Sequence, residues 1–304
     1  GPFRYYLFGK LVVFFVQKFN IFFKNCTLIS CDARPILFNN SVNIWFGGTS
    51  YKIPKEYKKL KNNCHVFENF IKKEKNLLKL YPCNLNLFSP SIKTKIIFIG
   101  NFTFFNLDVV NKIWQKEKNI IFNNFEILEN KIFWKKYNLE NHSKIQTYYI
   151  ALKEILRFNL IIKLNKEFSN QFIVVGNKWK PHIKSSLKSN YDKQYTSSLY
   201  KGNICIDFGS KWGNNSLYPR SIDIIESGGL LLQSNQSDSK KIYKKHYNNM
   251  SFNNINELIK KIKFLLNDNE KVKSFYNDQY KVFNATILNY KTLKKIHLIS
   301  KQNN

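Results

Sequence analysis

Arginine is scarce in this chain: of 49 basic residues, only Arg4, Arg34, Arg157 and Arg220 are arginines. Lysine, asparagine, isoleucine, phenylalanine and tyrosine are used heavily instead, the composition that AT-rich codon usage produces. Scarcity makes Arg220 and Arg34 stand out, because bidentate contact with a phosphate or carboxylate is a task lysine performs poorly. Acidic residues are few as well, 20 against the 49 basic ones, giving a formal net charge of +29 and an isoelectric point near 9.8. That balance admits nucleic acid, an anionic membrane surface or a polyanionic substrate as a partner, but a lysine excess set by codon usage is first of all a solvated surface.

Paired cysteines are missing too. Cys26, Cys31, Cys64, Cys83 and Cys205 are odd in number and contain no CxxC spacing, so neither a zinc site nor a disulfide framework is indicated, and a reducing, cytoplasmic setting is expected. No long apolar run is present: residues 7–23 are broken by Lys10, Gln17, Lys18 and Asn20, too interrupted for a spanning helix. Two readings stay open for that stretch, a core helix of a first domain or an interfacial helix with lysine flanks at a membrane. The strand at Lys95 to Gly100 is followed by GNFTFF, without the GxGxxG that an NAD-type oxidoreductase would show there. No internal repeat is visible. Gly1-Pro2 reads as the scar of a tag-removing protease, so the natural N-terminus is expected to differ and the first domain to be abbreviated.

What is present is concentrated in Asp207 to Leu232, DFGSKWGNNSLYPRSIDIIESGGLLL. The pattern predicts a strand over Ile204 to Phe208, a loop to Pro219, a helix from Arg220 to Ser227 and a strand at Leu230 to Leu232. Its loop then stands at the carboxyl end of a strand, where open α/β sheets bind ligands. Arg220 opens a helix whose N–H groups favour an anion, and Asp223 and Glu226 are spaced for one helical face. Further strands are predicted at Cys26 to Ser30, Val42 to Phe46, Asn63 to Phe67, Lys95 to Gly100 and Phe172 to Gly176. Helices are predicted around Leu107 to Glu117, Thr147 to Phe158, Thr196 to Lys201, Glu257 to Leu266 and Glu270 to Phe283. Alternation of strands and helices implies an α/β fold with mainly parallel sheets. A boundary near Pro90 divides the chain into residues 3–90 and 91–304.

The segment resembles the donor-binding motif of GT-B glycosyltransferases, in the bacterial glycosyl transferases group 1 branch related to spore-maturation glycosyltransferases. Arg220, Asp223, Gly228 and the apolar Leu230 to Leu232 carry the resemblance. Phe172-Ile-Val-Val-Gly-Asn-Lys-Trp179, Lys95 to Gly100, the passage Leu77 to Pro90 and the closing helices from Phe252 to Asn277 extend it to about two thirds of the chain. It implies two Rossmann-like domains, the first short and on the acceptor side, the second binding the donor. The implied function is transfer of a sugar from a nucleotide-sugar donor to the hydroxyl of a glycan, lipid-linked or protein acceptor. Bacterial surface-glycan assembly at the inner face of a membrane is the implied setting. The donor is a substrate and no further cofactor is implied; the absence of a DxD-like carboxylate pair is consistent with a reaction that needs no metal.

By that resemblance Asp223 binds ribose hydroxyls, its alternative being a capping or exposed acid, and Glu226 either assists the nucleotide or is exposed. Arg220 clamps phosphate or forms a surface ion pair with Asp223. Gly213, Asn214, Asn215, Ser216 and Tyr218 supply donors to phosphate or sugar oxygens. Asn215 stands where retaining members of the superfamily carry an acid, which leaves the stereochemistry open. Lys178 reaches phosphate from a strand end, or is a solvated lysine beside a core Trp179. Asp32 is the first choice of base for an inverting transfer, with an N-cap or an Arg34 ion pair as its alternative; His65 and Glu68 form the second choice. Substitution of Arg220 or Asp223 is expected to spare the fold, because both lie at a loop–helix junction off any apolar stripe.

Overall fold

A computed structural model describes residues 28–30, 41–45, 64–66, 94–103, 107–139, 142–190, 192–209, 219–235, 240 and 243–286. They fall into two units, each described by itself. In the first, β1 (Leu28–Ser30), β2 (Ser41–Trp45) and β3 (Cys64–Val66) form a parallel sheet in that order. These strands lie where the apolar pattern predicts them.

The second unit is built on five parallel strands: β4 (Ile96–Ile99), β5 (Phe172–Val175), β6 (Ile204–Asp207), β7 (Leu230–Ser234) and β8 (Ser251–Phe252). Their order is β5-β4-β6-β7-β8. The runs IIFI, FIVV, ICID and LLLQS are almost wholly buried, as expected for parallel strands covered on both faces by helices. Chain order reverses beside β4: the chain leaves β4 for β5 on one side and returns to β6 on the other. Such a reversal opens a crevice at the carboxyl ends of the two strands on either side of it.

The helices are α1 (Asp108–Asn123), α2 (Lys131–Lys135), α3 (His142–Glu167), α4 (Lys193–Tyr200), α5 (Pro219–Glu226), α6 (Tyr247–Met250), α7 (Ile255–Leu266) and α8 (Asn269–Thr286). Leu152, Leu156, Leu160 and Leu164 give α3 a buried stripe at four-residue spacing, and Ile255, Leu258, Ile262 and Leu265 give α7 one at alternating three- and four-residue spacing. Asn254 caps α7 by accepting the Glu257 N–H at 2.8 Å. Gly228 ends α5 with φ at 80°, the left-handed conformation glycine adopts without steric cost. The two-residue β8 pairs with Gln233 and Ser234 of β7. Gln279 of α8 takes over for the preceding Leu231 peptide, accepting its N–H at 3.0 Å and donating to its carbonyl at 2.6 Å. A buried peptide is thereby satisfied without a strand. Among the described residues no helix is long and apolar enough to cross a membrane.

Three differences from the sequence reading have physical reasons. The helix expected at Thr147 to Phe158 runs from His142 to Glu167, because its buried stripe continues beyond that window. Phe252, grouped by resemblance with the closing helices, belongs to strand β8, and two residues are too few to show a period. Helix α2 and the 3-10 turn Phe125–Glu129 were not anticipated, since five-residue elements carry little periodicity.

Candidate functional site

The crevice between β4 and β6 is organised around Asp207, the last residue of β6, which is fully buried. Its Oδ1 accepts the Gly209 N–H at 3.1 Å and Arg220 Nη1 at 3.3 Å, while Oδ2 accepts the Ser221 hydroxyl at 2.6 Å. Arg220 comes from the first turn of α5 and keeps 22 % of its side-chain surface exposed. A Cβ on Gly100, just past β4, would lie 3.8 Å from the same Nη1. The guanidinium is therefore held between the carboxyl ends of the two strands that flank the reversal of chain order.

The β5 side of the crevice is held against β4 by close backbone approach and by side-chain hydrogen bonds, with Arg157 of α3 adding a bond to the β4 side. Gly176 has φ at 152°, and a Cβ there would sit 2.2 Å from the Gly100 carbonyl oxygen, so only glycine fits. Trp179 Nε1 donates to that carbonyl at 2.6 Å. Asn101 Oδ1 accepts the Asn177 N–H at 2.8 Å, and Arg157 Nη2 donates to the Asn101 carbonyl at 2.6 Å while pairing with Glu154 at 2.5 Å. Trp179 is fully buried, nearly parallel to Phe158 and packed against Phe98 and Phe102. Lys178, between Asn177 and this anchor, is exposed and has φ at 70°. A left-handed non-glycine residue costs about 1–2 kcal/mol and persists where its surroundings over-determine it.

On α5, Glu226 pairs with the exposed Lys193 at 3.6 Å. Burial raises the Glu226 carboxyl above its ordinary pKa, Lys193 pulls it down and the neighbouring Asp223 pushes it up. Asp223 has an exposed face, but partial desolvation by the atoms packed beneath it raises its pKa. Lys193 and Arg220 oppose that rise and Asp207 adds to it. The open face keeps the effect modest. A raised folded-state pKa contributes stability that is fully present below the unfolded value and is lost as pH rises through the folded value. Asp223→Asn is therefore expected to raise the Tm at pH 7, and the gap is expected to close as pH falls to about 3, below the ordinary aspartate pKa. Melts at the two pH values that show the same gap would contradict this. Carboxylates kept at such a cost are a mark of functional surfaces.

The structure thus brings together Arg220, Asp223 and Glu226, and ties Lys178 to the same strand ends through Asn177 and Trp179. Arg220 pairs with Asp207, not in a surface pair with Asp223 alone, and Trp179 is a core residue beside an exposed lysine. His65 belongs to β3. Asp32, Glu68, Gly213, Asn214, Asn215, Ser216 and Tyr218 lie outside the described residues. Sequence reasoning gave no role to Asp207, Ser221 or Arg157. The available signal for Asp207 was a carboxylate ending an otherwise apolar strand. Among the described residues no group of three or more His, Cys, Asp or Glu is arranged to hold a metal ion. Compared with protein-family models, curated proteins and solved structures, the chain finds no match in any of the three.

Proposed function

We propose that the chain is a nucleotide-sugar-dependent glycosyltransferase of the GT-B type, with the donor in the crevice between β4 and β6. The observation that carries this reading is the position of Arg220: a scarce arginine, braced by a buried carboxylate, stands where doubly wound sheets take nucleotide ligands. In this reading Arg220 and Lys178 neutralise the diphosphate, Asp223 accepts from the ribose hydroxyls, and Glu226 supports it. Asn214, Asn215, Ser216 and Tyr218, which precede α5 in sequence, add donors. The acceptor oxygen attacks the anomeric carbon, the bond from that carbon to the diphosphate oxygen breaks, and the charge that builds on the leaving phosphate meets the two cations. The acceptor proton passes to a base, with Asp32 the first choice and His65 or Glu68 the second. The acceptor is a glycan, lipid-linked or protein hydroxyl, and the setting is the cytoplasmic side of a bacterial membrane during surface-glycan assembly. The donor is consumed as a substrate, and the reading calls for no separate cofactor.

A thermal-shift screen of UDP, GDP, CMP and dTDP nucleotides tests the proposal. At a hundredfold excess over its Kd, one nucleotide class is expected to stabilise the protein by about 2.7 kcal/mol, a shift of several degrees in Tm. No shift with any nucleotide would contradict it, and duplex DNA binding that survives physiological salt would then favour a nucleic-acid partner.

A further inference from the structure

We infer that residues 177–190, which lead away from β5, form a docking surface for a polyanionic glycan. Calling that glycan the acceptor of the transfer rests on the function proposed above; the surface itself does not. From Phe168 to Tyr191 the sequence contains no Asp or Glu, while Lys178, Lys180, Lys184 and Lys188 are all exposed. Among the described residues none of these four lysines has an ion-pair partner, so no neighbouring carboxylate cancels their charge.

The segment that carries these lysines is anchored. The Trp179 carbonyl accepts the His182 and Ile183 N–H groups at 2.8 Å each, and the Trp179 and Ile183 side chains are buried. Leu187 returns to the sheet edge, donating its N–H to the Val174 carbonyl at 2.8 Å and accepting the Gly176 N–H at 2.9 Å. The backbone is ordered before any partner arrives, which lowers the entropic cost of binding. Ammonium groups are point charges, suited to single negative charges repeated along a polymer, such as carboxylates or phosphodiesters. Continuity with the crevice, through Asn177 on Asn101 and Trp179 on Gly100, favours a chain that runs from this surface toward the donor site. The segment has one large apolar side chain in the open, Leu187, which is too little for a face that inserts into lipid.

The test uses the full chain and two labelled anionic polymers, polygalacturonate for carboxylates and inorganic polyphosphate for phosphates, with dextran as the neutral control. The triple variant Lys180→Gln, Lys184→Gln, Lys188→Gln is compared with Lys260→Gln, Lys273→Gln, Lys281→Gln, three exposed lysines on the last two helices. The parent is expected to bind at least one anionic polymer, and dextran not at all. The first triple should weaken that binding roughly tenfold or more, and the second by less than about threefold. Equal losses in the two triples would show diffuse charge and overturn the inference, as would tighter binding to duplex DNA than to either polymer. If no nucleotide binds the parent but the polymer pattern holds, the surface stands and the glycosyl-transfer reading falls. If a nucleotide binds and both triples bind polymer like the parent, the surface falls and that reading stands.

Discussion

Trp179→Ala is expected to cost about 3–5 kcal/mol of folding stability, the range for removing a large aromatic side chain from a packed interior. Trp179 is fully buried among Phe98, Phe102 and Phe158, so truncation opens a cavity that rigid neighbours fill only partly. It also removes the N–H that donates to the Gly100 carbonyl. Trp179→Phe separates the two effects: it keeps most of the volume, loses the donor and should cost about 1–3 kcal/mol. Urea unfolding of both variants measures this. A loss under about 1 kcal/mol for the alanine variant would show that the β4 and β5 ends are held together by something other than this anchor.

The second large effect is expected at Arg220. Its place at a loop–helix junction indicated that Arg220→Ala would spare the fold, but its partner Asp207 is fully buried, so the variant leaves a charge in the interior that, among the described residues, keeps the Ser221 hydroxyl and the Gly209 N–H. Breaking a buried pair from one side costs about 3–5 kcal/mol; the exposed part of Arg220 puts this case toward the lower end. Joining Arg220→Met to Asp207→Asn removes both charges and is expected to recover most of the loss. Chemical unfolding of the single and double variants decides the point. Equal stability of Arg220→Ala and the parent would mean that Asp207 draws its compensation from elsewhere.

The strands were legible because parallel strands covered on both faces are written as unbroken apolar runs, as in Lys95 to Gly100 and Phe172 to Gly176. The amphipathic helices were legible for the corresponding reason, apolar stripes at three- and four-residue spacing. The pair formed by Asp207 and Arg220 was not, because residues 13 apart become partners only when β6 and α5 fold back on each other. Gly176 is similar: its need for glycine comes from the carbonyl of Gly100, 76 positions away, which β4–β5 pairing brings within 2.2 Å of its missing Cβ. The carboxyl edge of the sheet, where the donor site is proposed, could be read from local pattern, while the bracing of Arg220 depended on contacts distant in sequence.

In the proposed site Arg220 is a ligand-binding group as well as the partner of Asp207. Arg220→Lys separates the two roles, because lysine keeps a cation near Asp207 but loses the planar fork that grips a diphosphate. Calorimetric titration of parent and variant with the nucleoside diphosphate that gives the largest thermal shift is the most direct measurement. A Kd weaker by roughly 10- to 100-fold is expected, the equivalent of one or two charge-assisted contacts, in a protein that still unfolds cooperatively. An unchanged Kd in a folded Arg220→Lys variant would contradict the ligand-binding role of Arg220.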